Sequence, residues 1–145
     1  MEICTIGFTQ TTAEHFFGRL AAARVERLLD VRLNNTSQLA GFAKARDLPY
    51  FMQSLVGGSY EHEPLLAPEE RMLDTYKKDK GDWGVYEARF LALMARRRVD
   101  EVLSRASFER RTALLCSEAG PENCHRRLVA EFLAERWGDI EIVHL

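Results

Sequence analysis

The side chains best able to do chemistry cluster between Leu114 and Arg127, in the run Leu114-Leu115-Cys116-Ser117-Glu118-Ala119-Gly120-Pro121-Glu122-Asn123-Cys124-His125-Arg126-Arg127. It reads as the end of a buried strand, a short turn and the first turn of a helix. Free backbone N–H groups and the positive end of the helix dipole, together with Arg126 and Arg127, suit a phosphate or carboxylate. Glu118 and Glu122 lie at the same end and could cap the dipole themselves. Cys124, beside His125 and Arg126, stands where a thiol pKa can be lowered, which opens nucleophilic or redox chemistry. An arginine six residues after either cysteine is missing, since Glu122 and Ala130 stand there, which counts against a phosphatase-like thiol mechanism.

Cys116, Cys124 and His125 also supply soft metal ligands. Seven residues separate the cysteines, whereas paired zinc cysteines usually have two to four between them. On a helix, neighbours such as Cys124 and His125 point about a hundred degrees apart. The sequence therefore assigns no metal and no cofactor. A carboxylate mechanism would use Glu118 and Asp30, at neighbouring strand ends, as nucleophile and acid/base. In a fifth reading the same polar groups lock the last helix to the sheet by hydrogen bonds.

The elements that must position these groups follow from periodicity. Ile3–Ile6, Arg27–Arg32, Ser59–His62, Thr112–Cys116 and Ile140–Leu145 read as short strands. Between them fall helical patterns. One follows Thr11, with Glu14 completing a capping box, and buries Phe16, Phe17 and Leu20. A second follows Asp47, with Pro49 in its first turn, an inner face of Leu48, Phe51, Met52 and Leu55, and a stop at Gly57-Gly58. A polar helix runs from Pro68 to about Lys78, with Lys77, Lys78 and Lys80 as a solvated face. Trp83–Ala95 buries Tyr86, Phe90, Leu93 and Met94, and Arg96–Arg98 closes it. A shorter helix covers 100–106. The last helix opens at Pro121 or Asn123, buries Leu128, Val129, Phe132, Leu133 and Trp137, and ends at Gly138. Residues 33–41 read as a polar loop.

This alternation predicts a single α/β domain over 1–145, Rossmann-like, with a mainly parallel sheet of about five strands and helices on both faces. Ligands bind at the carboxyl ends of such strands. Gly7 and Thr9, Asp30 and Arg32, Glu61 and His62, Cys116 through Arg127, and His144 would converge there. Asp30 and Arg32 equally fit a buried ion pair. Cys4, in mid-strand, is a core hydrophobe.

Composition narrows the classes. The 145 residues are 46% hydrophobic and 29% charged, ordinary for a globular domain, with net charge −2. That balance does not favour nucleic acid, although Arg96–Arg98, Arg105 and Arg110-Arg111 keep a nucleic-acid- or protein-binding module open as the alternative. No apolar run reaches the roughly 18 residues a membrane span needs. The absence of a signal-peptide pattern and the three cysteines point to a cytoplasmic chain with reduced thiols and no membrane partner.

Several segments resemble a known family. Thr5-Ile6-Gly7, Leu29-Asp30-Val31-Arg32, Leu115-Cys116-Ser117-Glu118 and Cys124-His125-Arg126-Arg127, with Phe42 and Val143-His144-Leu145, are similar to the hallmark segments of the domain of unknown function 488 family. The resemblance runs nearly end to end and implies a compact cytoplasmic α/β domain without an established reaction. Phe8 stands where the family pattern has His. The residues that match as candidate site residues are Asp30, Arg32, Cys116, Glu118, Cys124, His125 and Arg126.

The expectation is an anionic small-ligand site, for a nucleotide or phosphorylated metabolite, at the C-terminal edge of the sheet. Asp30, Glu118, His125 and Cys124 are its candidate catalytic groups. Gly7, Thr9, Arg32, Cys116, Arg126 and Arg127 are its candidate ligand-binding groups. A thiol or metal redox sensor is a further alternative.

Overall fold

The computed structural model describes residues 1–36 and 40–145. Five strands, β1 (Glu2–Gly7), β2 (Arg27–Asp30), β3 (Ser59–His62), β4 (Thr112–Cys116) and β5 (Glu141–His144), form one sheet in the order β3-β2-β4-β1-β5. Every pairing is parallel. In the dinucleotide-binding order the first strand lies beside the second. Here β4 lies between them, so the likeness to that fold is one of alternation and layering.

Strand side chains alternate between faces, and the core divides accordingly. Ile3, Leu29, Leu114 and Cys116 face one layer, made by α3 (Glu70–Lys77), α4 (Trp83–Arg97), α5 (Val99–Val102) and α6 (His125–Trp137). Cys4, Ile6, Leu28, Ala113 and Leu115 face the other, made by α1 (Ala13–Ala22) and α2 (Leu48–Phe51). The parallel register keeps like with like: Cys4 pairs with Ala113, Ile6 with Leu115, Leu29 with Leu114. A sheet buried on both faces explains why β1, β2 and β4 read as short continuous apolar runs.

Several boundaries differ from the sequence reading. The α1 N-cap is Thr12, whose hydroxyl accepts from the His15 N–H at 3.1 Å, so the box from Thr11 to Glu14 does not form. After Asp47 the chain makes one α-turn and then widens into a π-turn over Met52–Val56. The wider turn rotates Leu55 outward, where it is 55% exposed. Gly57, at φ 81°, ends the turn in the left-handed region that glycine adopts without steric cost. The segment expected as one helix over 100–106 is split: α5 ends at Val102, and a 3-10 turn covers Arg105–Glu109. The last helix begins at His125, with Cys124 as N-cap in extended conformation (φ −138°, ψ 137°). Of the expected loop, residues 37–39 lie outside the described residues, and Gly41–Ala43 form a 3-10 turn. No described helix is long and apolar enough to cross a membrane.

Candidate functional site

A cavity of about 190 Å³ opens beyond the carboxyl ends of β2 and β4, on the α3/α4/α6 side. Its buried floor is Cys116, Cys124 and His125, and Arg32 and Glu118 also line it. One wall is aromatic. The rings of Tyr76, Trp83 and Tyr86 lie with centroids 5.1 to 5.4 Å apart, Trp83 and Tyr86 being stacked. Of these rings the sequence singles out Trp83 and Tyr86, with Tyr60, as core or pocket wall; it leaves Tyr76 unmarked, and Tyr60 does not line the cavity, because helical spacing does not separate a ring facing a cavity from one facing the core.

Cys116 ends β4 with the parity of Leu114, which aims it at this side. Cys124 joins it because the residue before α6 is extended rather than helical, so its side chain escapes the helix spacing that would carry it away from His125. The ligating atoms of Cys116, Cys124 and His125 all lie within 4.8 Å of one another. His125 Nε2 is 2.6 Å from the Val31 carbonyl oxygen. A carbonyl only accepts, so Nε2 carries the proton, and Cys116 Sγ sits beside the ring, 3.5 Å from Nδ1 and 3.9 Å from Nε2. The ring rests against Phe90, with centroids 5.3 Å apart. Burial lowers the His125 pKa and keeps the imidazole neutral. A hydrogen bond from Cys124 lowers Cys116, helped by the Ser117 N–H and Arg126 against the cost of burial. The same bond, with burial, raises Cys124.

Lys77 departs from the solvated face expected of it. Its amine lines the cavity and donates to Glu118 Oε1 at 2.5 Å. Burial pulls the Lys77 pKa down, and the bond and charge of Glu118 reverse that and leave it raised. No sequence signal separates Lys77 from Lys78 and Lys80: its contact follows from the end of α3 lying beside the loop after β4.

Asp30 is fully buried and does not line the cavity. It has the parity of Leu28 and so belongs to the opposite face. There it takes a two-pronged contact from Arg32 (Nε to Oδ1 and Nη2 to Oδ2, both 2.8 Å) and the Tyr60 hydroxyl at 2.6 Å. Asp30 and Glu118 are therefore not brought together as a carboxylate pair. Arg32 bridges the two regions. Two of its nitrogens hold Asp30, it lines the cavity, and its buried Nη1 has no hydrogen-bond partner among the described residues.

The remaining candidates serve the loop. Arg126 is 1% exposed and donates to the Glu118 carbonyl (2.6 Å), the Ala119 carbonyl (3.4 Å) and Cys124 Sγ (3.4 Å). Arg127 turns to Glu131 and to the Pro121 and Glu122 carbonyls. Thr9 donates its N–H and hydroxyl to the Ser117 carbonyl. Gly7 leaves room for the Glu118 backbone. None of these four lines the cavity. His144 Nδ1 bonds the Thr5 hydroxyl, at 2.6 Å. The basic residues of the alternative reading have partners. Arg96 pairs with Glu69, Arg98 with Glu101 and Arg110 with Glu61, and Arg97 holds the Leu65 and Ala67 carbonyls.

Comparison with curated proteins and with solved structures finds no match. A family model described as "Domain of unknown function DUF488" matches residues 12–133, a stretch that contains the cavity floor, Asp30 and Arg32 and leaves out β1 and β5. The expected resemblance at Thr5-Ile6-Gly7 and Val143-His144-Leu145 thus lies outside the matched stretch. The cavity, its Cys-His floor and the Arg126-held loop are carried by a chain that belongs to the DUF488 family.

Proposed function

We propose that the cavity at the C-terminal edge of the sheet binds a small, ring-bearing molecule with an anionic group. The observation that carries this reading is the Tyr76/Trp83/Tyr86 wall in a lining that also holds the cations Arg32 and Lys77. An aromatic wall favours a planar ring by stacking. Cationic side chains beside such a wall favour a ligand carboxylate or phosphate oxygen, and charge-assisted bonds of this type are the stronger kind. Lys77 supplies a second cation once its contact with Glu118 is exchanged for one with the ligand.

Size narrows the class. Pockets for drug-sized ligands run to roughly 300–1,000 Å³. A volume of about 190 Å³ suits one ring with its substituents, such as a nucleobase or an aromatic acid. The rest of a nucleotide would lie outside, over the rim at Lys77. Glu118, His125 and Cys124 would then flank the ring as the groups able to move a proton. Asp30 acts through Arg32, by fixing the guanidinium plane, and is a positioning residue in this reading.

A thermal-shift and tryptophan-fluorescence titration tests it, using nucleobases, nucleosides, nucleoside monophosphates and aromatic carboxylates. The expected result is saturable stabilisation by at least one ring-bearing anion, weakened about tenfold or more in Trp83→Ala. If no compound in the panel shifts the wild-type protein, the reading fails.

A further inference from the structure

We infer that Cys116 Sγ, Cys124 Sγ and His125 Nδ1 form a three-residue site for a divalent, thiophilic metal ion of the zinc class, with the fourth coordination position opening into the cavity. The inference rests on these three atoms and their supporting contacts. It does not depend on which molecule the cavity takes.

Distance is the first support. With Zn–S near 2.3 Å and Zn–N near 2.0–2.1 Å, a tetrahedral centre sets S···N at about 3.6 Å and S···S at about 3.8 Å. Cys116 Sγ and His125 Nδ1 are 3.5 Å apart. All three ligating atoms lie within 4.8 Å of one another, so the widest pair has about 1 Å or less to close.

The outer contacts are the second support. Metal-binding histidines typically donate their other N–H to a carbonyl or carboxylate, which fixes the tautomer and the ring plane. His125 has this arrangement in part: Nε2–H donates to the Val31 carbonyl at 2.6 Å, which leaves Nδ1 unprotonated and free to ligate. Phe90 packs against the ring from α4. Arg126 Nη1 donates to Cys124 Sγ at 3.4 Å, a contact that favours the thiolate a metal requires. Two thiolates and a neutral imidazole leave a dication electrically neutral, which suits a floor that is almost wholly buried.

A disulfide would use the two sulfurs but has no need of a histidine beside them. A structural hydrogen-bond lock would not need a second thiol. The chemistry of the donors points the same way, since two cysteines and one histidine are soft and borderline ligands that select zinc over magnesium or calcium. All three residues line the cavity, so the missing tetrahedral vertex lies on its open side. Three protein ligands and one open position describe catalytic rather than purely structural zinc sites. Such a site would take a water molecule, or an oxygen or nitrogen of a ligand, as its fourth partner.

Cobalt(II) is the probe, because tetrahedral thiolate coordination gives it a sulfur-to-metal charge-transfer band and intense visible absorption. Reduced, chelator-treated full-length protein is titrated with Co²⁺ and then with Zn²⁺. The inference expects one Co²⁺ per chain and a charge-transfer band that Zn²⁺ abolishes. Cys116→Ser, Cys124→Ser and His125→Gln should each weaken binding at least tenfold, and Cys4→Ala should bind as the wild type does. A wild-type protein that gives no charge-transfer band at stoichiometric cobalt overturns the site, and that result needs no variant to fold. So does a band that persists in both serine variants. The ring-ligand titration repeated on chelator-treated protein separates the two readings: stabilisation there with no cobalt band refutes the metal site and leaves the cavity reading standing.

Discussion

Gly7 lies directly beneath the backbone of Glu118: a Cβ built on Gly7 would stand 1.7 Å from the Glu118 carbonyl oxygen and 2.9 Å from Arg126 Nη1. The end of β1 is thus the seat on which the loop after β4 rests, with Arg126 clamping the same carbonyl from above. Sequence places Gly7 at a strand end. Only the close approach of two backbones shows why the position admits no side chain.

Gly7→Ala is therefore expected to be severe. The obstructing atoms are backbone and cannot rotate away, so the loop must shift. The cost should reach or exceed about 3 kcal/mol, the upper part of the range for overpacking. Urea denaturation monitored by circular dichroism measures it. A loss below about 1 kcal/mol would mean that the Glu118 loop is not seated on β1.

The buried pair of Asp30 and Arg32 gives a second expectation. Removing one charge leaves the other without compensation, so Asp30→Ala should destabilise the fold by about 3–5 kcal/mol. Replacing both residues by apolar ones of similar volume should cost much less than the single change, since a buried ion pair contributes little net stability compared with packed hydrophobes. A double-mutant cycle read by chemical denaturation separates the two outcomes. Equal losses in single and double variants would contradict the pairing.

Tyr60 links stability to alkaline pH. Burial, then the hydrogen bond to the Asp30 carboxylate and its charge, raise the Tyr60 pKa above the usual tyrosine value. The sign follows from proton counts. Above about pH 10 the unfolded chain loses the phenol proton while the folded chain keeps it. Stability should be level through neutral pH and fall as pH rises past about 10. Tyr60→Phe should cost about 1.5–3 kcal/mol at pH 7, as for a bond to a charged group, and should flatten the alkaline fall. Denaturation series at several pH values check both. An unchanged alkaline slope in Tyr60→Phe would assign the fall to other groups.

Lys77→Met separates binding from folding. The Lys77–Glu118 contact is nearly half exposed on both partners, and pairs of that kind contribute about 0–1 kcal/mol after solvent screening. The variant should stay within about 1 kcal/mol of the wild type. It should nevertheless lose affinity for any anionic compound that the titration identifies. A Lys77→Met protein that binds as the wild type does would remove the lysine from the ligand's path.

What the sequence made legible was what repeats. Two-residue alternation and apolar runs located all five strands, and helical spacing found the Tyr86, Phe90, Leu93 and Met94 face of α4. Single-residue choices were not legible. Thr11 and Thr12 offer the same hydroxyl, and only the path of the chain selects the cap. Cys124 was read as helical, which aimed it away from His125. One extended residue before α6 reverses that conclusion and gathers the cluster. Asp30 and Cys116 both end strands and were expected to meet. Their opposite parity sends them to opposite faces, a distinction already present in the positions of Leu28 and Leu114. Lys77 looked solvated because a lysine-rich run describes composition, whereas its contact with Glu118 depends on where α3 lies relative to β4.

The division of the core by strand parity bears on how this chain tolerates change. The layer built by Phe16, Phe17, Leu48 and Met52 meets the sheet on the side away from the Cys-His floor. Substitutions there are filtered by folding alone. Across the sheet, Tyr86 fills the interior and also lines the recess, and Phe90 backs His125 from behind it, so each exchange must satisfy two demands at once. Mutational tolerance should therefore be lopsided, generous under α1 and narrow under α4.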